Sequence, residues 1–215
     1  MRIAVLGGSG MIGSEIVTEA CERGHEVTAV SRTIGSDPRP RVTVQRADAS
    51  NREVTRAIIG AHDALVSATV PDRAPGADHA PYLTSLSNLL EDLQDRLVLV
   101  VGGFGSLLQP NGEEQRFRPG GSIEKYRREA ATVAEGLAYI RANGKNRRWI
   151  YLCPPIMIKP IERTGKYVVG DDHPVGEEIS TEDFAVAVLD EMENPIHVGR
   201  RFTVAGAKIT EQAST

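Results

Sequence analysis

Apolar and polar residues follow one another along this chain in a pattern that predicts buried strands separated by amphipathic helices. Residues 3–6 form a short apolar run that ends at glycines, and residues 11–23 repeat apolar side chains at helical spacing. Gly24 is placed to end that helix in a left-handed conformation, after which residues 25–30 are typical of a second strand. The start of the chain therefore predicts a strand, helix, strand unit.

The same alternation continues through most of the sequence. It predicts further strands at residues 42–45, 64–68, 97–101, 149–152, 165–169 and 201–204. It predicts further helices at residues 51–59 (closed by Gly60), 79–94, 123–142 and 181–193, the last with Ser180 and Asp183 as a capping box. Strands that alternate with helices predict an α/β fold, a Rossmann-type doubly wound parallel sheet with a small C-terminal extension.

Two features of the sequence bear on how the chain is divided into domains and loops. The sequence contains no internal repeat and no linker, so we expect residues 1–215 to form a single Rossmann domain, with residues 153–215 completing the substrate side. Residues 102–121 show no convincing periodicity, and a loop of that length within a compact domain is usually a lid or a binding loop. We expect function to concentrate there.

A glycine motif lies between the first predicted strand and the first predicted helix. In residues 7–13 the glycines recur at every third position. The first permits a tight turn, the second lets the backbone approach a pyrophosphate, and the third lets the helix pack on the strand. Free N–H groups at the helix start would then face the phosphate. An ordinary strand-to-helix turn is the alternative, but the context favours a nicotinamide dinucleotide held by Gly7, Ser9, Gly10, Met11, Ile12 and Gly13.

The residues after the second strand bear on the choice of cofactor. An NAD-selective site usually has an acidic side chain about twenty residues beyond the glycines, where it binds the ribose hydroxyls. This chain has Ser31 and Arg32 instead. A guanidinium forms charged hydrogen bonds with a 2′-phosphate, so we predict NADP, with NAD as a possible cofactor. The alternative is that Arg32 is a solvated loop residue.

Composition excludes several other classes of function. A formal net charge of −4 argues against a nucleic-acid partner, and no apolar run approaches the length of a membrane span. Cys21 and Cys153 have no CxxC spacing, so we interpret both as buried thiols. The histidines are scattered along the sequence and suggest no metal site. We expect a cytoplasmic protein, a monomer or homodimer, that acts on a small molecule.

Several motifs together resemble a known family. They are residues 7–13, Arg46-Ala47-Asp48, residues 66–68, residues 100–107, residues 162–167 and residues 200–204. On these the chain resembles, over nearly its whole length, the atypical short-chain dehydrogenase/reductases, and within them the NAD(P)H-flavin reductases related to biliverdin reductase B and to the NmrA-like proteins. The resemblance implies contacts with the adenine by Asp48 and Ala49, passage beneath the cofactor of Ala68 and Thr69, and contacts with the nicotinamide by Pro154, Pro155 and Ile156.

One departure from the usual short-chain dehydrogenase pattern affects the chemistry. Those enzymes use a Tyr and a Lys four residues later, whose charge lowers the phenol pKa so that the Tyr can exchange a proton. Here Tyr126 is the candidate catalytic residue, but Ala130 stands at the Lys position. Neighbouring Lys125 and Arg127 point in other directions on a helix. Ordinary carbonyl reduction is therefore disfavoured, and Tyr126 without a catalytic role is the alternative.

Hydride transfer between two stacked rings needs no dedicated acid, because the protein mainly supplies position. Gly103 and Phe104 are the candidate contacts for a flat acceptor, although Phe104 would equally serve as a cap on the core. We predict an NAD(P)H-dependent reductase of a flavin or quinone, with flavin as substrate and not as a tightly bound cofactor. The alternatives are a non-catalytic NADP-sensing regulator like the NmrA-like proteins and, less favoured, a nucleotide-sugar epimerase or dehydratase.

Overall fold

An eight-stranded, mostly parallel sheet forms the centre of the computed structural model, which describes residues 1–117 and 126–207. Its spatial order is β3-β2-β1-β4-β5-β6-β10-β8, and only β8 runs antiparallel to its neighbour. The strands are β1 (Arg2–Leu6), β2 (Glu26–Ser31), β3 (Val42–Arg46), β4 (Ala64–Ser67), β5 (Leu97–Val101), β6 (Arg148–Cys153), β8 (Tyr167–Gly170) and β10 (Arg201–Gly206). A separate two-stranded parallel sheet pairs β7 (Met157–Lys159) with β9 (Glu178–Ser180).

Helices cover both faces of the large sheet. They are α1 (Met11–Glu22), α2 (Arg52–Ala61), α3 (Ala80–Asp92), α4 (Arg127–Asn143) and α5 (Thr181–Glu193). Ile3 and Val5 point toward the core shared with α1 and α5, whereas Ala4 and Leu6 point toward the core shared with α2, α3 and α4. Both faces of the central strands are therefore buried, which explains their continuous apolar sequences. The predicted Rossmann-type doubly wound fold is confirmed.

The position of the cleft follows from the strand order. The chain builds β1, β2 and β3 outward in one direction, then returns to place β4 on the other side of β1. Loops that leave β1 and β4 must therefore diverge to opposite faces of the sheet, which opens a crevice beyond their carboxyl ends. The glycine loop lies at this crevice, because it is the segment that leaves β1.

Two predicted helix boundaries had different outcomes. Gly24 has φ +83° beyond the end of α1, as the sequence predicts. The prediction that Gly60 closes α2 is wrong, because the helix continues to Ala61 and Gly60 keeps a helical conformation. His62 ends it instead, and its Nδ1 lies 2.7 Å from the Ile58 carbonyl oxygen.

Residues 102–117 contain more structure than the sequence predicts. Short 3-10 helices form at Phe104–Ser106 and Gln115–Phe117, and Leu108 pairs with Glu114 in an isolated bridge. Residues 118–121, like the predicted helix start at residues 123–125, lie outside the described residues. Tyr126 is the N-cap of α4, one residue before the helix begins.

The C-terminal extension is attached to α1 and α5 by the motif at residues 162–167. Arg163 pairs with Glu19 of α1 at 2.8 Å, and Tyr167 donates to Asp190 of α5 at 2.6 Å. The Ser180 hydroxyl accepts from the Asp183 N–H, as predicted for the cap of α5. The predicted capping box is not completed, because the Asp183 carboxylate accepts from the Thr164 and Gly165 N–H groups instead. Residues 162–167 therefore fix the C-terminal extension to α1 and α5.

The two cysteines differ in environment. Cys153 is fully buried, and burial raises the pKa of its thiol to about 12. Cys21 is only half-buried, so the prediction of a buried thiol is wrong there, because its side chain sits at the rim of the α1 core.

Within residues 1–117 and 126–207, no helix is both long enough and apolar enough to cross a bilayer.

Candidate cofactor and acceptor site

The glycine loop is closed by backbone contacts that leave no space for side chains at Gly7 and Gly13. Gly7 has φ +83°, and a Cβ built on it would lie 2.6 Å from the Ala68 carbonyl oxygen. A Cβ on Gly13 would lie 2.0 Å from the Gly7 carbonyl oxygen. The third glycine thus serves the closure of the loop itself, whereas the sequence predicted that it serves helix packing on the strand.

The start of α1 presents unpaired N–H groups. Gly10 is the N-cap and has no side chain to accept from the first turn, while its own N–H donates to the Gly7 carbonyl at 2.9 Å. The first N–H groups of any helix lack intrahelical acceptors, and the helix dipole favours negative charge there. A Cβ on Gly10 would meet the Gly7 oxygen at 3.3 Å and nothing else within 4 Å, so its outer side faces open space. This geometry fits a pyrophosphate.

A cleft of about 540 Å³ extends from this loop along the carboxyl ends of β1, β2 and β4. Its size is within the usual range for small-molecule sites. Nine residues predicted to bind cofactor line it: Gly7, Ser9, Gly10, Ser31, Arg32, Asp48, Ala49, Ala68 and Thr69. The walls of this cleft do not include Met11, Ile12, Gly13, Pro155, Ile156, Gly103 or Phe104.

The corner beyond β2 combines hydroxyl and guanidinium groups. The Ser9 hydroxyl donates to the Ser31 hydroxyl oxygen at 2.7 Å, which leaves the Ser31 hydrogen directed elsewhere. Arg32 is exposed, and its carbonyl oxygen accepts from Arg46 Nε at 2.9 Å. A second guanidinium therefore stands beside Arg32, which is favourable for a phosphate group.

Asp48 lies opposite this corner with its carboxylate oriented by local bonds. One oxygen accepts from the Ser50 N–H at 2.9 Å and from the Ser50 hydroxyl at 2.8 Å. These bonds, and to a smaller extent the charge of Arg32, lower the pKa of Asp48. The carboxylate is therefore ionised near neutral pH and able to accept a hydrogen bond from a ligand.

Apolar side chains are exposed where the strands β1 and β6 end. Met11 follows the glycine loop and is 53% exposed, while Ile156 follows β6 and is 37% exposed. Pro155 beside it is buried, and Ile12 packs partly against the α1 core. Exposed apolar groups at the carboxyl edge of such a sheet suit a flat ring, although the described contacts do not join Met11 to Ile156.

The sequence suggested that Gly103 contacts a flat acceptor, but the structure gives the glycines after β5 other surroundings. A Cβ on Gly102 would lie 2.1 Å from Cε1 of Tyr151, so this glycine makes room for a buried ring. A Cβ on Gly103 would point at Val133 of α4, at 3.4 Å. Phe104 is half-buried and packs against the α2–α4 core. The absent side chains of both glycines thus face protein and not the acceptor side.

Tyr126 is exposed at the start of α4, and Ala130 lies one turn further along the helix, beside the loop after β5. A Cβ on Gly105 would lie only 3.0 Å from the Ala130 Cβ, so the absence of a side chain at Gly105 lets this loop pack closely against α4. A charge reaches Tyr126 from the loop after β4. The Arg73 guanidinium lies 5.5 Å from the ring centroid, and it is also paired with Glu129 at 2.7 Å.

Sequence reasoning missed several residues of the cleft wall. They are Thr33, Ser50, Asp72, Asp78, Pro81, Tyr82 and Ser85. Asp72 and Asp78 lie in the loop after β4, which a parallel sheet places at the same edge as the glycine loop, so strand order was the available signal. Tyr82 and Ser85 come from α3, whose approach to the cleft is a tertiary feature. Among residues 1–117 and 126–207, no three His, Cys, Asp or Glu side chains are grouped to hold a metal ion.

Comparison with known sequences supports this assignment of the cleft. The sequence model of the NAD(P)H-binding family matches residues 7–195. The uncharacterized protein YwnB of Bacillus subtilis (strain 168) is 35% identical over 213 residues, which cover 95% of this chain and 98% of that protein. The match includes both the glycine loop and the C-terminal extension.

Two solved structures have the same fold over almost the whole chain. A putative epimerase from Bacteroides thetaiotaomicron has a TM-score of 0.84 at 30% identity and covers 96% of this chain and 97% of its own. A putative NADH-flavin reductase from Streptococcus pneumoniae TIGR4 has a TM-score of 0.82 at 27% identity and covers 96% of this chain and 100% of its own. Proteins with this fold are therefore described both as an epimerase and as a flavin reductase.

Proposed function

Since this chain belongs to the NAD(P)H-binding family, we propose that it is an NAD(P)H-dependent oxidoreductase that reduces a flavin or another small flat acceptor such as a quinone. The observation that supports the choice of acceptor is Ala130, which stands four residues after Tyr126 in the place of the lysine of the usual Tyr-Lys pair. A reaction that depends on positioning suits this site better than one that depends on an activated phenol.

The residues of the cleft, with neighbouring residues at the start of α1 and after β6, would divide the binding of NADPH among them. The α1 N–H groups with Gly7, Ser9 and Gly10 would hold the pyrophosphate, Ser31 and Arg32 the 2′-phosphate, and Asp48 and Ala49 the adenine. Ala68 and Thr69 would form the floor, with Met11, Ile12 and Gly13 at the helix start and Pro155 and Ile156 beside the nicotinamide. When bound, NADPH supplies a hydride at its nicotinamide ring.

The acceptor would lie at the carboxyl edge near the loop that follows β5. Gly103 and Phe104 remain the proposed contacts, through their backbone and the exposed part of the Phe104 ring. Exposed Ile156 supplies an apolar surface on the other side. These groups would orient two flat rings and exclude water, which is the contribution that such a transfer needs from a protein.

The experiment is a steady-state assay of NADPH and NADH oxidation with FMN and with quinones. We expect turnover with NADPH, and we expect Tyr126→Phe to keep most of it, because only a hydroxyl is removed. Tyr139→Phe, at a half-buried tyrosine of α4 whose hydroxyl donates to Ser87 at 3.1 Å, is the control for loss of a tyrosine hydroxyl from the same helix. Tight cofactor binding without turnover would favour the NADP-sensing alternative. A loss of roughly a hundredfold in Tyr126→Phe alone, the scale of a lost general acid, would restore Tyr-dependent chemistry.

A further inference from the structure

A buried arginine connects the C-terminal extension to the loop that follows β5. Arg201 is the first residue of β10 and is only 3% exposed. Its guanidinium donates to the Ser106 carbonyl oxygen, 95 residues earlier in the chain, and to the Asp172 carboxylate, with Nε at 2.8 Å. Burying a charge costs free energy unless its hydrogen bonds are satisfied, so this placement binds the three segments to one another.

Two further bonds join the same segments. The Leu108 N–H donates to the Asp172 carbonyl oxygen at 2.8 Å, and His173 Nδ1 lies 3.2 Å from the Leu108 carbonyl oxygen. Residues 106–108 are therefore held by the turn at residues 172–173 on one side and by Arg201 beneath. We call this arrangement of Arg201, Asp172, Ser106 and Leu108 the loop clasp.

The clasp acts on the segment that carries the proposed acceptor contacts, Gly103 and Phe104. Ser106 ends the 3-10 turn that begins at Phe104, and that turn leaves the sheet at the carboxyl end of β5. The turn is also held by local bonds, Ser106 N–H to Gly103 and Leu107 N–H to Phe104, each 3.0 Å, by the Gln115 N–H, which donates to the Leu107 carbonyl oxygen at 2.7 Å, and by the packing of Phe104 against the core. The local bonds of so short a 3-10 turn are weak alone, and the clasp is the contact that ties the turn to the C-terminal extension, so a change in the clasp should shift Phe104.

We propose that Arg201 is a positioning residue for the electron acceptor, which it places indirectly by fixing the loop of Gly103 and Phe104. The inference rests on the proposed reductase function. It predicts a division of labour: the clasp sets the binding of the acceptor, whereas the glycine loop, attached to β1 and β2, sets the binding of NADPH. Arg201 touches neither ligand.

The test compares Arg201→Met and Arg201→Lys with Arg200→Met, a matched control at the neighbouring arginine, whose exposed guanidinium donates to the Ile196 carbonyl at 3.1 Å. Arg201→Met should raise the KM for FMN about tenfold and leave the NADPH Kd within about twofold. Amide exchange at residues 106–108 should become about tenfold faster, and Arg201→Lys should recover part of both effects. Arg200→Met should resemble the wild type.

Asp172→Asn provides a second variant in case Arg201→Met does not fold, since Asp172 is half exposed and a neutral amide fits its place. It should change the KM and the exchange rates in the same direction. If the wild type oxidises NADPH but the KM for FMN or the loop exchange is unchanged in these variants, the inference is wrong. If the wild type shows no turnover with any acceptor, the proposed function fails, and the exchange rates still show whether the clasp holds the loop.

Discussion

The loops that follow β1 and β5 are both rich in glycine and both leave the carboxyl edge of the same sheet, but they are built differently. The loop after β1 bonds to itself and to β2, through Gly10 N–H to Gly7 and Gly7 N–H to Val30. The loop after β5 is fixed by Tyr151 beneath Gly102 and by Arg201 beneath Ser106. The first belongs to one βαβ unit, and the second depends on elements far along the chain.

The difference shows how much a glycine pattern reveals about function. Between β1 and α1, the glycines allow a close backbone turn and leave the N–H groups at the helix start accessible, so this pattern indicates a bound ligand. Between β5 and the first 3-10 turn, Gly102 serves a buried aromatic ring. Substitutions in the first loop should therefore affect binding, and substitutions in the second should affect stability or loop position.

The largest effect is expected at Gly10. A valine there would extend from the open side of the loop into the place of the pyrophosphate, so Gly10→Val should weaken NADPH binding at least 100-fold, roughly 2.7 kcal/mol, with the fold retained. Calorimetric titration and circular dichroism measure both. Gly35→Val is the control, since a Cβ there meets nothing within 4 Å. If folded Gly10→Val protein binds NADPH with unchanged affinity, the loop after β1 does not hold the pyrophosphate, and the contrast drawn with the loop after β5 is wrong.

The next effect concerns cofactor choice at the corner beyond β2. Arg32→Ala should weaken NADPH more than NADH, by about 1.5–3 kcal/mol if the guanidinium binds the 2′-phosphate. Parallel titrations with both cofactors measure this difference. Arg41→Ala, at an exposed arginine before β3, is the matched control because it lies at the amino edge of the sheet. Equal weakening of NADPH and NADH would exclude Arg32 as the phosphate ligand.

A smaller effect, on stability, is expected after β5. Gly102→Ala brings a methyl group into the Tyr151 ring and should lower the free energy of unfolding by about 1–3 kcal/mol, the usual cost of overpacking. Gly103→Ala makes only an ordinary contact with Val133 and should cost less than about 0.5 kcal/mol. Urea unfolding of both variants tests this. A reversed order of stability would contradict the assignment of Gly102 to core packing.

The smallest effect depends on pH. Because the folded pKa of Asp48 lies below its ordinary value, the stabilisation by Ser50 is present above that ordinary value and is lost as the pH falls through the folded value. Ser50→Ala should therefore lower stability at pH 7 by less than about 1 kcal/mol, since the carboxylate is exposed, and the difference should shrink in acid. Unfolding at several pH values measures it, with Ser36→Ala as control. A difference that grows toward low pH would contradict this account.

The sequence alone determined the fold class and the place of the glycine loop. Continuous apolar runs and period-3.6 patterns depend on which side chains are buried, and this information is present along β1, α1 and β2. Turn glycines such as Gly24 could be predicted because the need for positive φ is local. The ends of β1, β2, β3 and β4 follow from strand order, which explains why nine predicted residues meet in one cleft.

Only the tertiary structure decided the surroundings of Tyr126 and of the loop after β5. Nothing near residue 130 in the sequence indicates that Gly105 packs closely against Ala130, or that Arg73 approaches Tyr126 from another loop. The short strands β7 and β9 lack a periodic signal, because three residues are stabilised by their partner and not by their own pattern. Arg201 looks like a surface residue until β10 is placed beside β6, since contacts between distant segments leave no periodic trace in the sequence of either one.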